Sequence, residues 1–308
     1  LQVMVSDDNP GHLLVALGTN VERIDFNFSD PNAEVDGQRS EMNTPHPFFS
    51  DPVVREAAFL AVDRETIANS FYEGGDAEPA AANLIEGIEA IESPNNEVVF
   101  DQDRANQILD EAGWTRDGDV RSKDGVELSV RYATSVNQVR QKTQAVVKQN
   151  LEAIGFEVEL ISVDAGIYFD TGPGNDQNIY KFYWDLEMYQ SVPTNPTPIN
   201  YMEAWYAGPD GGNIAQASNE WAEDNTSRYN NPDYDALLDQ SRAQTDPELL
   251  ADLFIQMNDI LIGDHASIPL VRVGAKVGVV NTLNEANLEL GPFSYHYWNI
   301  ANWNRIPE

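Results

Sequence analysis

An α/β fold is predicted by two hydrophobic periods that alternate along this 308-residue chain. One is the period of two of a half-buried strand. Leu128, Val130 and Tyr132 alternate with Ser129 and Arg131, and Phe156, Val158 and Leu160 repeat the pattern. The other is the period of an amphipathic helix: Val139, Thr143, Val146, Val147, Leu151 and Ile154 form one stripe, and Gly155 ends it. Together they make a βαβ unit. Its strands should lie parallel with a right-handed crossover, because a connection of this length packs back onto a twisted sheet only that way. With 42% hydrophobic residues, a chain of this length can bury a substantial core.

Toward the N-terminus, Asp51 can cap a helix that Pro52 opens, since proline lacks an N–H that the first turn could not satisfy anyway. Val54, Ala57, Ala58, Ala61 and Val62 follow at helical spacing, with Arg55 and Glu56 off the stripe. Asp63 supplies a second cap, Ile67 and Phe71 continue the apolar face, and Gly74 can supply a left-handed stop. Two short helices in tandem result. Asp124-Gly125 between Val120 and Val126 is a hairpin turn. The run Ile179 to Tyr189 reads as a strand on which Phe182, Trp184, Leu186 and Met188 share one face. Farther on, Asn231-Pro232 and Asp246-Pro247 each start a helix, and Leu250, Leu253, Phe254, Met257, Ile260 and Leu261 form the core face of the second.

Composition excludes several function classes. The net charge of −33 is spread along the whole chain, so nucleic acid, whose phosphates would be repelled, is not an expected partner. Spread-out carboxylates also fit a saline habitat, because salt screens their mutual repulsion. The absence of cysteine excludes disulfides and thiol catalysis. No apolar run is long enough to span a membrane, and no signal peptide is visible at Leu1. His12, His46, His265 and His296 are scattered without metal-ligand spacing, and Arg121 and Ser122 spoil the calcium-loop likeness of Asp117, Asp119, Asp124 and Glu127, so no metal or other cofactor is expected.

The wording of Asp51 to Gly74, DPVVREAAFLAVDRETIANSFYEG, resembles a signature of family 5 extracellular solute-binding proteins, the oligopeptide- and dipeptide-type receptors of ABC importers. The stretches Phe100 to Trp114, Arg131 to Leu160 and Tyr229 to Leu270 are similar to further segments of that family. The resemblance implies a periplasmic-binding-protein-like fold (type II, cluster C), specifically its C-terminal lobe, with a mixed sheet flanked by helices and short pieces of a first domain. It implies a division into 1–44, a segment of the first, hinge-side domain; 45–284, the ligand-binding lobe; and 285–308, an aromatic return segment in which Trp298 and Trp303 pack. It also implies an extracytoplasmic place, periplasmic or at the cell surface, with an anchor in an N-terminus that this sequence does not contain. The partners implied are a small-molecule solute, peptide or oligosaccharide, and an ABC permease in the membrane. The receptor itself is expected to be a monomer.

Function is expected where the strand ending at Tyr189 runs into the loop Gln190 to Pro198. Tyr183, Tyr189, Gln190, Ser191, Thr194, Asn195 and Trp205 are the candidate ligand contacts, since aromatic faces bury area and amides fix orientation. Core packing is the alternative for the aromatics. Tyr206 and Trp221 are further stacking surfaces, and Tyr295 and Tyr297 lesser candidates. In peptide receptors of the family, an aspartate shortly after a tryptophan holds the peptide's α-amino group; the resemblance maps those positions onto Thr194 and Ser191. A hydroxyl cannot supply the charge that a desolvated ammonium requires, which leaves an oligosaccharide as the alternative to a peptide. Catalysis has one foothold: Asp185 and Glu187 on one strand face could act as the acid and base of a glycoside hydrolase. No Gly-x-Ser-x-Gly elbow, P-loop or Gly-x-Gly-x-x-Gly fingerprint accompanies them, so the expectation is a receptor and not an enzyme.

Overall fold

In the computed structural model, which describes residues 10–74, 78–285, 288, 291, 293 and 297–306, the first element is a long strand, β1 (Gly11–Phe26). Helix α1 (Pro52–Ala61) starts as its cap predicts: the Asp51 carboxylate accepts the Val53 N–H, and Val54, Ala57, Ala58 and Ala61 are buried. Asp63 caps α2 (Arg64–Phe71) through the Thr66 N–H, and Gly74 adopts a φ of 59°. Arg55, off the stripe in sequence, is buried too. Its guanidinium reaches the carbonyls of Phe49 (2.6 Å) and Asp264 (3.1 Å), so the stem packs while the polar tip is satisfied.

Helix α3 (Gln102–Glu111) packs on α1, and a small sheet follows it: β2 (Thr115–Arg116), β3 (Arg121–Lys123) and β4 (Val126–Glu127). Asp124 and Gly125, both at positive φ, form the β3–β4 turn. Next come β5 (Ser129–Ser135), α4 (Gln138–Ala153) and β6 (Glu157–Val163), with β5 and β6 parallel. Gly155 cannot be replaced cheaply, because its φ is 93° and a Cβ there would meet Arg121 Cγ at 2.5 Å. Short α5 (Ala165–Tyr168), strand β7 (Leu186–Ser191) and short α6 (Ile199–Met202) precede the helix pair α7 (Pro232–Ala243) and α8 (Pro247–Gly263), and strand β8 (Ser267–Val280) closes the sheet.

The five strands lie in the order β6-β5-β7-β1-β8, with β5 parallel to β6 and β7 and with β1 antiparallel to β7 and β8, a mixed sheet flanked by helices. One face, bearing Ile24, Phe26, Tyr132, Leu186, Met188 and Ile268, joins the main core with α1, α2, α3 and α4. The other face carries Arg23, Asp25, Glu187, Tyr189 and Ser267, all buried. A smaller cluster of Ala133, Val163, Tyr168, Ile179, Phe182, Trp184 and Tyr189 lies on that side.

The strand expected from Ile179 is shorter than its periodicity suggested. Phe182 takes a φ of 45°, and Asn27 Nδ2 donates to the carbonyls of Phe182 (2.7 Å) and Trp184 (3.1 Å), replacing ladder partners. The pairing therefore begins at Leu186, and Phe182 and Trp184 pack in the smaller cluster while Leu186 and Met188 join the main core.

Val21–Phe26 of β1 sits between β7 and β8, whereas Gly11–Leu17 pairs with Gly274–Val280 alone, as a two-stranded ribbon beyond the sheet. Residues 27–46 return to the body, where Asn27, Ser29, Ser40 and His46 are buried. His46 fixes this return: its Nδ1 accepts the Phe49 N–H (3.0 Å), leaving Nε2 to donate to Asp185 (3.0 Å). At the far end of the ribbon the Asn281 N–H donates to the Pro10 carbonyl, and Ile306 to that of Thr282. Trp303 is half-buried and donates to Asn299, but Trp298 is 55% exposed. Tyr295 and His296 lie outside the described residues.

Candidate functional site

Parallel strands β5 and β7 end side by side, and β1 and β8 leave the sheet next to them. A cavity of about 330 Å³ opens there, lined by Glu22, Tyr72, Asn137, Val139, Arg140, Gln190, Val273 and Lys276. Ligands of open α/β sheets gather at such carboxyl ends because the loops diverge and leave a crevice.

Four of the polar side chains in or beside the cavity, those of Asn137, Arg140, Glu22 and Lys276, are held by named partners. Asn137 caps α4, its Oδ1 accepting the N–H groups of Val139 and Arg140. Arg140, in the first turn of the helix, bonds both oxygens of Glu22 (2.8 and 3.2 Å) and donates to Ser135 Oγ (2.8 Å). Burial pushes the Glu22 carboxyl up, and the Arg140 charge opposes that. Lys276 lies 2.8 Å from Glu78, a fully buried carboxylate that also accepts the N–H groups of Glu73 and Gly274. The Tyr72 hydroxyl is buried with no hydrogen-bond partner, and burial pushes its ionisation up. Glu22 is thus paired with Arg140, and Lys276 faces two carboxylates, Glu78 and, at 3.9 Å, Glu73. Such a surface offers a solute hydrogen bonds from side chains already engaged in ion pairs.

The residues singled out in sequence fall into two groups. Gln190 is exposed at the cavity wall, on the same side of β7 as its register partner Glu22. Ser191, half-buried, pairs with Val21 at the end of β7. Thr194 is exposed on the loop that follows, and Asn195 accepts the Thr197 N–H at 3.0 Å to fold that loop on itself. The loop is fastened to β1 by Thr19, whose hydroxyl donates to the Pro193 carbonyl (3.1 Å). Of these four residues, only Gln190 lines the cavity.

The aromatics do not share it. Tyr189 points to the opposite face, where its hydroxyl accepts from Arg23 (3.1 Å) and its ring lies 4.6 Å from the guanidinium. Trp205, 1% exposed, packs 4.9 Å from the same guanidinium and donates to Ser267. Tyr183 is buried beneath Arg39 at 4.2 Å. Tyr206 lines a second groove, of about 770 Å³, with Asp235 and Asp239. Sequence reading missed Glu22, Tyr72, Asn137, Arg140, Val273 and Lys276 because they come from separate segments. The one local signal was Asn137, a cap residue between a strand and a helix.

The candidate catalytic pair does not reach the cavity. Asp185 accepts from His46 and from the Arg131 N–H (2.7 Å), and it is buried; Glu187 is fully buried. Among the described residues, no group of three or more His, Asp or Glu side chains could hold a metal ion, and no helix is long and apolar enough to cross a membrane.

A family model for bacterial extracellular solute-binding proteins, family 5 (middle), matches residues 10–213. The oligopeptide-binding protein OppA of Mycobacterium tuberculosis is 25% identical over 243 residues, covering 78% of this chain and 38% of the relative. The oligopeptide-binding protein AppA of Bacillus subtilis is 30% identical over 159 residues, covering 48% of this chain and 28% of its own length. The chain thus spans well under half the length of these relatives. Among solved structures, B. subtilis AppA in complex with a nonapeptide superposes with a TM-score of 0.71 at 20% identity, covering 98% of this chain and 53% of that one. NikZ from Campylobacter jejuni in complex with Ni(L-His) gives 0.71 at 17% identity, covering 97% and 54%. At such identities these structures speak for the fold alone.

Proposed function

Because the chain belongs to family 5 of the bacterial extracellular solute-binding proteins, we propose that it is the C-terminal, ligand-binding lobe of an ABC-importer receptor. In this reading the lobe is the body built on the central sheet, to which Val21–Phe26 and residues 27–46 contribute although 1–44 was expected in a first domain, and the β1–β8 ribbon leads toward that domain. A small solute is captured in the cleft between lobes, and closure over it presents the receptor, outside the cytoplasmic membrane, to the permease. No reaction is performed on the solute. The observation that carries the reading is the cavity at the ends of β5 and β7, beside the two strands that leave the sheet.

The relatives' names favour a peptide. A second reading, an oligosaccharide, is favoured by the loop itself: Gln190, Ser191, Thr194 and Asn195 offer amides and hydroxyls where a peptide ammonium needs a carboxylate. Calorimetric titration of the full-length receptor with pentapeptides and with cello- and xylo-oligosaccharides tests both. Saturable heat from one series is expected. Heat from neither, or release of an aryl-glycoside's leaving group, would count against the receptor role.

A further inference from the structure

On the polar face of the sheet, Glu187 is fully buried and both of its carboxyl oxygens lack a hydrogen-bond partner. Buried polar atoms in folded proteins are satisfied in the great majority of cases, so two on one side chain need a physical reason. Its surroundings supply one. Asp25, its register partner on β1, is a second carboxylate on the same face, and Arg23 is already committed to Asp25 at 2.9 and 3.1 Å. Arg228, from the loop after Thr226, spends its donors on the carbonyls of Ser40, Thr226, Tyr180 and Lys181. The remaining titratable neighbours are the phenols of Tyr168, Tyr180 and Tyr189, and the Trp184 indole N–H beside them is itself unpartnered. A charge at Glu187 would be desolvated and would face Asp25 without a salt-bridge partner, which is costly.

We propose that Glu187 is a neutral, protonated acid in the folded protein, so that folding near neutral pH takes up a proton and alkaline conditions loosen the strand leading into the Gln190 loop. Burial, followed by Asp25, pushes the carboxyl well above its ordinary value, with Arg228, the nearby Trp184 indole N–H, which falls short of hydrogen-bond geometry, and Arg23 opposing. The sign follows. Below the ordinary carboxyl range both folded and unfolded chains hold the proton. Above it the unfolded chain releases the proton while the folded chain keeps it, so stability falls as pH rises until the folded group ionises.

Glu187→Gln keeps the shape and removes the proton. The expected result is that the ratio of wild-type to variant unfolding constants, measured in denaturant, grows by about tenfold per pH unit from about pH 5 upward. A ratio independent of pH would overturn the proposal. Infrared spectroscopy of the folded wild type covers the case in which the variant does not fold: a protonated-carboxyl band at pH 7, insensitive to exchange of surface acids, is expected, and its absence would equally overturn it. Neither readout depends on the solute, so failure here leaves the receptor reading intact.

Discussion

The two faces of the central sheet solve burial in opposite ways. On one, Ile24, Phe26, Leu186 and Met188 meet the helices with nothing to satisfy but shape. On the other, Arg23 lies between the Tyr189 and Trp205 rings, bonded to Asp25, which Ser267 also reaches at 2.6 Å. The apolar face gains from transfer out of water, while the polar face must recover in hydrogen bonds what its charges lose in solvation. An apolar face therefore loses stability in proportion to the volume removed, whereas a polar one fails when a single partner is removed and the other is left unpaired.

The largest effect expected is from Arg23→Ala. Asp25 would be left buried without its cation, and unfolding in denaturant should show a loss of about 3–5 kcal/mol. Exchanging both partners, Arg23→Met with Asp25→Leu, should recover most of it, because an apolar pair of similar volume often replaces a buried ion pair at little cost. Equal losses in single and double variants would break the comparison. Ile24→Ala, on the apolar face, should cost about 2–5 kcal/mol by transfer and cavity formation, with no dependence on pH.

The two sides should also titrate in opposite senses. His265, against Phe59 of α1 at a ring distance of 4.9 Å, is pushed down to about 4 by burial and then by Arg55. The unfolded imidazole takes a proton first, so the stability tied to His265 is present above its ordinary range and is lost as pH falls from about 6.5 toward 4. His265→Asn suits the local φ of 50° and should flatten this acid limb in pH-dependent unfolding, just as Glu187→Gln flattens the alkaline one. An acid limb unchanged in the variant would remove His265 from the account.

Smaller still, Trp205→Phe should cost about 0.5–1.5 kcal/mol for its bond to Ser267. Gln190→Ala, an exposed side chain near the end of β7, should leave stability within about 0.5 kcal/mol while weakening solute capture. A binding loss at Trp205 with none at Gln190 would reverse the placement of the site.

The difference between the faces also explains what could be read in sequence. The helix starts at Asp51-Pro52, Asn231-Pro232 and Asp246-Pro247 and the βαβ unit of β5, α4 and β6 were legible because cap and period are local signals. Arg23, Asp25 and Glu187 stand at the polar positions of alternating strands, where a period of two predicts exposure, so nothing local marks that second face as buried. At Phe182 a real alternation misled, because a distant side chain, Asn27, takes the backbone bonds that a strand would have used. Composition drew attention to the stretch Gln190 to Pro198, of which Gln190 alone lines the cavity; the rest of that cavity was not legible, since Glu22, Arg140 and Lys276 meet only when the sheet is assembled.

The central claim, that the chain holds a solute where β5 and β7 end, is tested most directly by hydrogen exchange of the full-length receptor with and without a saturating pentapeptide or xylo-oligosaccharide. The account expects protection concentrated at residues 137–140, 190–197 and 273–276. Protection centred instead on the groove of Tyr206, Asp235 and Asp239, with the β5 and β7 ends unchanged, would contradict it.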